Sequence, residues 1–195
     1  TGAAFANTQL DTNIRDWYQD HMKNNTITKI YDIINGIENY QAVIAGTTIL
    51  SVAYFMPDDD FFWELTSNTV RGFLIALPQQ YIMTQIIEGK RPTDGSSWSL
   101  NPMSNKSATV SGHALYSIPF FTAAKLSDNS FLKAFFNVLA FLPGLARIND
   151  DKHYFSQVLI GTGFGYLATN SVAETNRQRA GEDQESISIS PQILP

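Results

Sequence analysis

The stretch HYFSQVLIGTGFGYLATNSVA, residues 153–173, has the pattern of a long helix packed among other helices. Gly161, Gly165 and Ala168 recur at four- and three-residue steps, so they share one face, and a neighbouring backbone can approach that face closely. A membrane-spanning helix needs about 20 apolar residues, and polar side chains interrupt this stretch too often. We therefore interpret residues 154–173 as a buried core helix.

Helical spacing of apolar residues also runs through the rest of the chain. It predicts helices at Leu10–Met22, from Ile27 to Gly36, from Phe61 to Gly89, at Ser111–Lys125, at Ser130–Leu142 and from His153 to about Val172. The uncharged run Tyr40–Met56 is also interpreted as a core helix. The expected fold class is all-α: one helical domain of about six or seven helices over residues 1–175, with a polar tail over residues 176–195.

Turn and cap signals separate these helices. Asp58 to Asp60 follow Pro57 and can cap the next helix, and the Asp128-Asn129-Ser130 run predicts a second cap. Pro78 predicts a kink, and Pro143-Gly144 predicts a break before Arg147. The segment from Lys90 to Thr109, at about twenty residues, is longer than most loops, which favours a functional role.

The composition limits the classes of function. Thirteen Lys and Arg against 18 Asp and Glu give a net charge of −5 without a basic cluster, so nucleic acid is not an expected partner. Charged residues make up 16%, against roughly 25% in ordinary soluble domains, which suits extensive helix burial or nearby lipid. The chain has no cysteine, which excludes disulfides and thiolate chemistry. Ala4-Phe5-Ala6 before Asn7 looks like the end of an export signal, so we expect an exported protein, periplasmic or membrane-associated.

The Ser111-Gly112-His113 run and two arginines form a candidate anion site. The run ends the long loop and begins a helix, where free backbone N–H groups and the helix dipole attract an anion such as phosphate. Arg91 lies in the same loop and Arg147 precedes the last helix, and each guanidinium can bind phosphate oxygens bidentately. Phosphate binding by these residues is the chemistry that the pattern favours.

Two of the three histidines complete this candidate site. His153 begins the last predicted helix, and Gln157 stands one turn later, within reach of the imidazole. A ring held in this way can act as a nucleophile, and His113 can protonate the departing oxygen. No pair of histidines has the i, i+4 spacing of zinc ligands, and capping is a better explanation of Asp58 to Asp60 than cation binding, so we expect no metal and no cofactor.

These residues resemble the type 2 phosphatidic acid phosphatase superfamily, which includes bacterial acid phosphatases, lipid phosphatases and vanadium haloperoxidases. The first block of the family, Lys, six residues and Arg-Pro, is matched by Arg91-Pro92. The second, Pro-Ser-Gly-His, is matched by Ser111-Gly112-His113, and the third, Ser-Arg, five residues, His, three residues and Asp, by Arg147 and His153. The blocks and their helices cover roughly residues 77–173.

The resemblance implies a phosphatase that hydrolyses phosphomonoesters through a phosphohistidine. It implies His153 as the nucleophile, His113 as the acid for the leaving group, and Arg91, Ser111, Gly112 and Arg147 as the phosphate cradle. The expected partner is a phosphate-bearing small molecule or lipid. The aromatic run Phe61-Phe62-Trp63 favours amphiphilic substrates and contact with a membrane surface.

Four positions depart from the family pattern. The chain has Thr84 where the first block has Lys, Val110 for Pro, Ala146 for Ser, and Gln157 for Asp. In a serine protease triad the comparable Asp to Asn change lowers kcat by about 10⁴. We therefore expect weakened activity, and we expect Gln157→Asp to raise it. Candidate compensating residues are Asp150 and Asp151 for the carboxylate, and Lys90, Lys106 and Lys152 for the missing lysine.

Two alternatives to a phosphatase remain open at this stage. The first is a degenerate member of the family that binds phosphate or a partner without turnover, for which Gln157 and Thr84 are the evidence. The second is a vanadate-dependent haloperoxidase, because that chemistry uses the same anion cradle. His21 lies outside every block and is interpreted as a solvated residue.

Overall fold

The computed structural model describes residues 9–39, 60–87, 89–94 and 109–189. Over these ranges the chain forms seven α-helices, two short 3-10 helices and no strand, which confirms the all-α fold class. The α-helices are α1 (Leu10–His21), α2 (Asn25–Asn39), α3 (Asp60–Ile86), α4 (Ile118–Leu126), α5 (Ser130–Leu139), α6 (Leu142–Asn149) and α7 (Phe155–Ile189). The 3-10 helices are Pro92–Asp94 and His113–Ser117. The predicted helix at Tyr40–Met56 lies outside the described residues.

The core lies where α3, α4 and α7 pack together around the 3-10 helix His113–Ser117. Four of its side chains are no more than 2% exposed, and larger apolar side chains from α3 and α7 pack around them. The four are Ala76, Leu115, Ile118 and Ala168. Ala76 of α3 and Ala168 of α7 are small, and Leu115 of the 3-10 helix is fully buried against this cluster.

The predicted close approach to the glycine face of α7 is confirmed. A Cβ atom at Gly161 would lie 2.5 Å from the carbonyl oxygen of Ser111 and 2.8 Å from the Cβ of Ala114. A Cβ atom at Gly165 would overlap the Oγ of Ser117. The two glycines therefore seat the backbone of residues 111–117 directly on α7, and this seating fixes the position of the second sequence block.

Some predicted helix boundaries are wrong in their details. Helix α2 continues through Gly36 to Asn39, and α3 ends at Ile86 rather than Gly89. Pro143 does not break a helix but lies in the first turn of α6, where the missing N–H has no intrahelical partner to lose. The predicted cap before α5 is confirmed, since Asn129 Oδ1 accepts from the backbone N–H groups of residues 131 and 132.

The last helix differs most from the prediction. His153 does not begin it but lies in the preceding turn, and α7 runs from Phe155 to Ile189 instead of ending near Val172. Residues 174–180 consist of helix-forming or neutral residues without glycine or proline, which lets the helix propagate. The division into a domain over residues 1–175 and a polar tail stays a prediction, with residues 176–189 helical.

One described segment has the length and composition to cross a membrane. It is Ser130–Asn149, with a mean hydropathy of 1.5 and 28% of it buried, and it comprises α5 and α6. The prediction overlooked this segment because it treated Pro143-Gly144 as a break. In α7, by contrast, Ser156, Gln157 and Thr162 are buried polar residues, as expected for a core helix.

Candidate active site

Residues 89–91 and 109–111 lie side by side at the end of α3. A Cβ atom at Gly89 would lie 2.5 Å from the Cα of Thr109 and 3.0 Å from the Nε2 of Gln157, so only glycine fits between them. The hydroxyl of Thr109 donates to the carbonyl oxygen of Ile87. The first and second sequence blocks therefore meet through their backbones, and both meet Gln157.

Gln157 joins all three sequence blocks. Its side-chain Nε2 donates to the carbonyl oxygen of Lys90 at 2.9 Å, and its main-chain oxygen accepts from the N–H of Ser111 at 3.2 Å. Its Oε1 lies 3.1 Å from the N–H of Tyr154 and 3.2 Å from the Nδ1 of His153. Gln157 is fully buried. The residue predicted to orient His153 therefore also ties the first and second blocks to the third.

The bonds of Gln157 fix the tautomer of His153. The N–H of Tyr154 is a donor and the carbonyl of Lys90 is an acceptor, so the amide has only one orientation, with Oε1 toward Tyr154. Nδ1 of His153 must then donate to Oε1. In the neutral ring the lone pair is consequently on Nε2. The amide of Gln157 thus selects the same tautomer that a carboxylate would, although it adds no negative charge.

His113 lies beside the two arginines of the predicted cradle. The ring is half-buried, and burial together with the positive charges of Arg147 and then Arg91 lowers the pKa of His113 to about 4. Tyr116 packs edge-on against the same ring, with centroids 6.0 Å apart. Arg91 and Arg147, from the first and third sequence blocks, are therefore near enough to His113 for their charges to act on it.

Eight buried side-chain polar atoms lack a hydrogen-bond partner among the described residues, and two of them belong to the predicted phosphate cradle. They are the Oγ of Ser111 and the Nε of Arg147. Buried polar groups are almost always paired, so such atoms call for a specific explanation. Both belong to residues that the sequence predicted as phosphate ligands, and a tetrahedral oxyanion would supply acceptors for them.

The space around Gly112 is open, and neither packing nor backbone conformation requires a glycine at this position. Its φ of −63° and ψ of −31° are open to any residue, and the nearest atom to an added Cβ is the Nε2 of Gln80 at 3.9 Å. Gly89, Gly161 and Gly165, in contrast, are required by packing. A glycine that neither packing nor backbone conformation requires is compatible with close approach of a ligand to the backbone.

The departures from the family pattern have clear local consequences. Thr84 donates to the carbonyl oxygen of Gln80 at 2.8 Å within α3, so its hydroxyl is engaged by its own helix. Asp151 is bonded to Arg15, and Asp150 accepts from Asn35 at 2.7 Å. Lys152 is exposed, and Lys106 lies outside the described residues. Within the described ranges, no group of three His, Asp or Glu side chains is placed to hold a metal ion.

Sequence reasoning missed two side chains that support the site. The Nε2 of Gln80 donates to the carbonyl oxygen of Val110 at 3.2 Å, which fastens the second block to α3. The Oδ1 of Asn35 lies 3.4 Å from Nη1 of Arg147. Both residues lie on helices that carry several other polar side chains, and no spacing rule distinguishes them from solvated residues. His21 is exposed, as predicted, with Nδ1 3.0 Å from the carbonyl oxygen of Trp17.

Comparison with protein families identifies the class of this chain. The family model described as PAP2 superfamily matches residues 45–179, more than two thirds of the chain. The chain therefore belongs to the PAP2 superfamily, the type 2 phosphatidic acid phosphatase group whose three blocks the sequence resembles. No curated protein and no solved structure matches the chain.

Proposed function

We propose that this protein is a PAP2-type phosphatase that hydrolyses phosphomonoesters through a phosphohistidine at His153. The observation that carries the proposal is that Gln157 bonds to His153 and to the first and second sequence blocks, while Arg147 and Arg91 act electrostatically on His113 of the second block. Membership of a phosphatase family supports the same class of reaction. Arg91, Arg147, Ser111 and Gly112 bind the phosphate oxygens, and no metal or cofactor takes part.

The proposed reaction has two steps. In the first, Nε2 of His153 attacks phosphorus, the P–O bond to the alcohol breaks, and His113 donates a proton to the departing oxygen. In the second, His113 accepts a proton from water, which attacks phosphorus and breaks the P–N bond to release phosphate. Gln157 keeps the proton of His153 on Nδ1, so the nucleophilic nitrogen always carries its lone pair.

The low pKa of His113 is compatible with its role as an acid only when phosphate is bound. Burial, and then the charges of Arg147 and Arg91, disfavour the imidazolium in the free protein. A bound phosphate dianion offsets their charge and raises the pKa of His113, so substrate binding brings the proton that the leaving group needs. The charges of the cradle therefore couple phosphate binding to the protonation of the acid.

The proposed substrates are amphiphilic phosphates, and the protein is proposed to bind them at a membrane surface. Val70, Leu74, Leu77 and Tyr81 form an exposed apolar stripe at four- and three-residue steps along α3, the helix that also carries Gln80. Phe61, Phe62 and Trp63 are exposed at the opposite end of α3. The stripe, rather than the aromatic run, is the apolar surface closer in sequence to Arg91. Export of the protein is part of the same proposal.

The decisive assay compares wild type, His153→Ala and Gln157→Asp on p-nitrophenyl phosphate and on a short-chain phosphatidic acid, with vanadate as inhibitor. We expect vanadate-sensitive release of phosphate by wild type, none by His153→Ala, and faster release by Gln157→Asp. Full activity of a folded His153→Ala variant would remove His153 as the nucleophile. If folded Gln157→Asp released phosphate no faster than wild type, the amide of Gln157 would not be what weakens activity.

A second candidate function is phosphate binding without turnover. It is favoured by Thr84, whose hydroxyl is engaged by its own helix and supplies no charge where the family has lysine. Phosphate that raises the melting temperature of a protein that releases no p-nitrophenol from acid to neutral pH would select this function. Bromide oxidation with vanadate and peroxide would instead select the haloperoxidase alternative.

A further inference from the structure

Helix α1 directs a stripe of three polar side chains at one short segment of the chain. Asp11, Arg15 and Gln19 recur at four-residue steps and so share one face of the helix. All three bond to residues between 148 and 156, the segment that connects Arg147 to Gln157. The apolar positions Leu10, Trp17 and Met22, in contrast, are exposed. Ile14 and Tyr18 are half-buried. The three polar side chains tie helix α1 to the segment that contains His153.

Asp11 caps α7 from a distant part of the chain. Its Oδ1 accepts from the N–H of Ser156 at 2.9 Å, and its Oδ2 accepts from the Ser156 hydroxyl. The N–H of Ser156 is one of the first-turn donors that a helix cannot satisfy internally, and a carboxylate there also interacts favourably with the helix dipole. Asp11 is only 1% exposed. A buried carboxylate with both oxygens engaged holds the first turn of α7, from which Gln157 projects.

Arg15 and Gln19 hold the turn that precedes His153. Arg15 forms two bonds to the carboxylate of Asp151, one of them 2.7 Å long. Asp151 has a φ of 56°, a left-handed conformation that is unfavourable for a residue with a side chain. Gln19 donates to the carbonyl oxygen of Ile148 at 2.9 Å. The strained residue lies two positions before His153, so the bond from Arg15 supports the conformation that presents the imidazole.

We propose that α1 is a clamp that positions the nucleophile, with Asp11 and Arg15 as its positioning residues. The predicted effect of α1 on turnover rests on the proposed function. The predicted effect of α1 on the tautomer of His153 does not. Neither residue belongs to the phosphate cradle. They act through Ser156 and Asp151, which bracket His153 on the two sides and keep Nδ1 within reach of Gln157.

The test uses Asp11→Ala in the full chain, with Asp20→Ala as the matched control. Asp20 is exposed on the same helix, so its removal changes the charge of α1 without touching the clamp. The chain has only three histidines, which permits assignment of each ring in ¹⁵N-histidine spectra by single His→Ala variants. Spectra are recorded at about pH 8, above the ordinary histidine pKa of about 6.5, where the tautomer is read directly.

In wild type and Asp20→Ala, we expect His153 to be the Nδ1–H tautomer. In Asp11→Ala we expect a mixture of tautomers and a kcat for p-nitrophenyl phosphate lower by about tenfold or more, because small misplacements of a reacting group are costly. KM should stay within about twofold, because the cradle is intact. Asp11→Asn, which retains an acceptor for the Ser156 N–H, should recover part of kcat.

An unchanged His153 tautomer and kcat in folded Asp11→Ala would overturn the proposal and leave the clamp a purely stabilising contact. If Asp11→Ala does not fold, Asp11→Asn and Arg15→Gln are subjected to the same measurements, with the same meaning. If wild type shows no turnover at all, the proposed function fails, while the tautomer in the variants still decides whether α1 positions His153.

Discussion

His153 and His113, the two histidines of the proposed site, have different surroundings in the structure. His153 is held by position: a buried amide accepts from its Nδ1, and that amide is itself fixed by the backbone at Tyr154 and Lys90. His113 is affected by its environment instead, since burial and then the charges of Arg147 and Arg91 lower its pKa to about 4. The difference is that hydrogen bonds fix the orientation of the His153 imidazole, whereas burial and then nearby cations disfavour the imidazolium form of His113.

The effect of the arginine charges on His113 is tested most strongly by the Arg147→Ala variant. Removal of one preorganised group that binds transition-state charge typically lowers kcat by about 10²- to 10³-fold, and we expect a loss of that size in kcat/KM for p-nitrophenyl phosphate. NMR titration should show the pKa of His113 rising, because Arg147 has the larger effect of the two charges that lower it. Arg177→Ala, on the exposed part of α7, is the control. A His113 pKa unchanged by Arg147→Ala would contradict the account.

The hydrogen bonds of Gln157, which hold His153 in position, are tested by the Gln157→Glu variant, which keeps the length of the side chain. At neutral pH the new carboxylate would be buried against the carbonyl oxygen of Lys90, and a buried group that loses its partner costs about 1–3 kcal/mol or more. We expect the melting temperature to fall at pH 7.5. Burial and the carbonyl raise the folded pKa of this Glu above its unfolded value, so stability should return as pH falls and the protonated group donates to Lys90.

The measurement for Gln157→Glu is the difference in melting temperature from wild type at pH 7.5 and at pH 5. A smaller deficit at pH 5 supports the role of Nε2 as a donor to Lys90. Gln85→Glu, on α3, is the control, and its difference from wild type should change little with pH. A deficit in Gln157→Glu that is equal at both pH values would show that the bond to Lys90 contributes little.

The smallest expected effect concerns stability and His113. Its folded pKa of about 4 lies below the ordinary value of 6.5, so between these pH values the unfolded chain binds more protons than the native protein. The contribution of the neutral His113 ring to the stability of the native protein is therefore present above pH 6.5 and is lost as pH falls toward 4. We expect the melting temperature of wild type to decrease more than that of His113→Asn over this window. Parallel decreases in the two proteins would contradict a depressed pKa.

The site residues were predicted from local motifs and stay a prediction, whereas several helix ends were predicted wrongly. The Arg91, His113, Arg147 and His153 motifs are local patterns of chemically specialised residues, and the structure brings the first three together electrostatically. The glycine face of α7 was also readable, because close approach requires the absence of a Cβ atom. Helix ends were harder to predict. Gly36 is tolerated inside α2 because the space around it is open, and Pro143 is tolerated inside α6 because it lies in the first turn.

The contacts that join distant segments could not be predicted. Asp11 looks like a solvated residue on an amphipathic helix, and only the fold places it at the start of α7, 145 positions away. Gln80 and Asn35 are similarly ordinary in sequence. Gln157 was identified by its spacing from His153, but its bonds to Lys90 and Ser111 depend on the packing of three segments.

The most direct test of the central claim is to trap the phosphorylated protein. Wild type is mixed with p-nitrophenyl phosphate, quenched in base within the turnover time, digested and analysed by mass spectrometry for an acid-labile phosphoryl group. We predict one phosphoryl group on the peptide that contains His153, and none in His153→Ala. Turnover by wild type with that peptide unmodified, or with the phosphoryl group on another residue, would contradict the account.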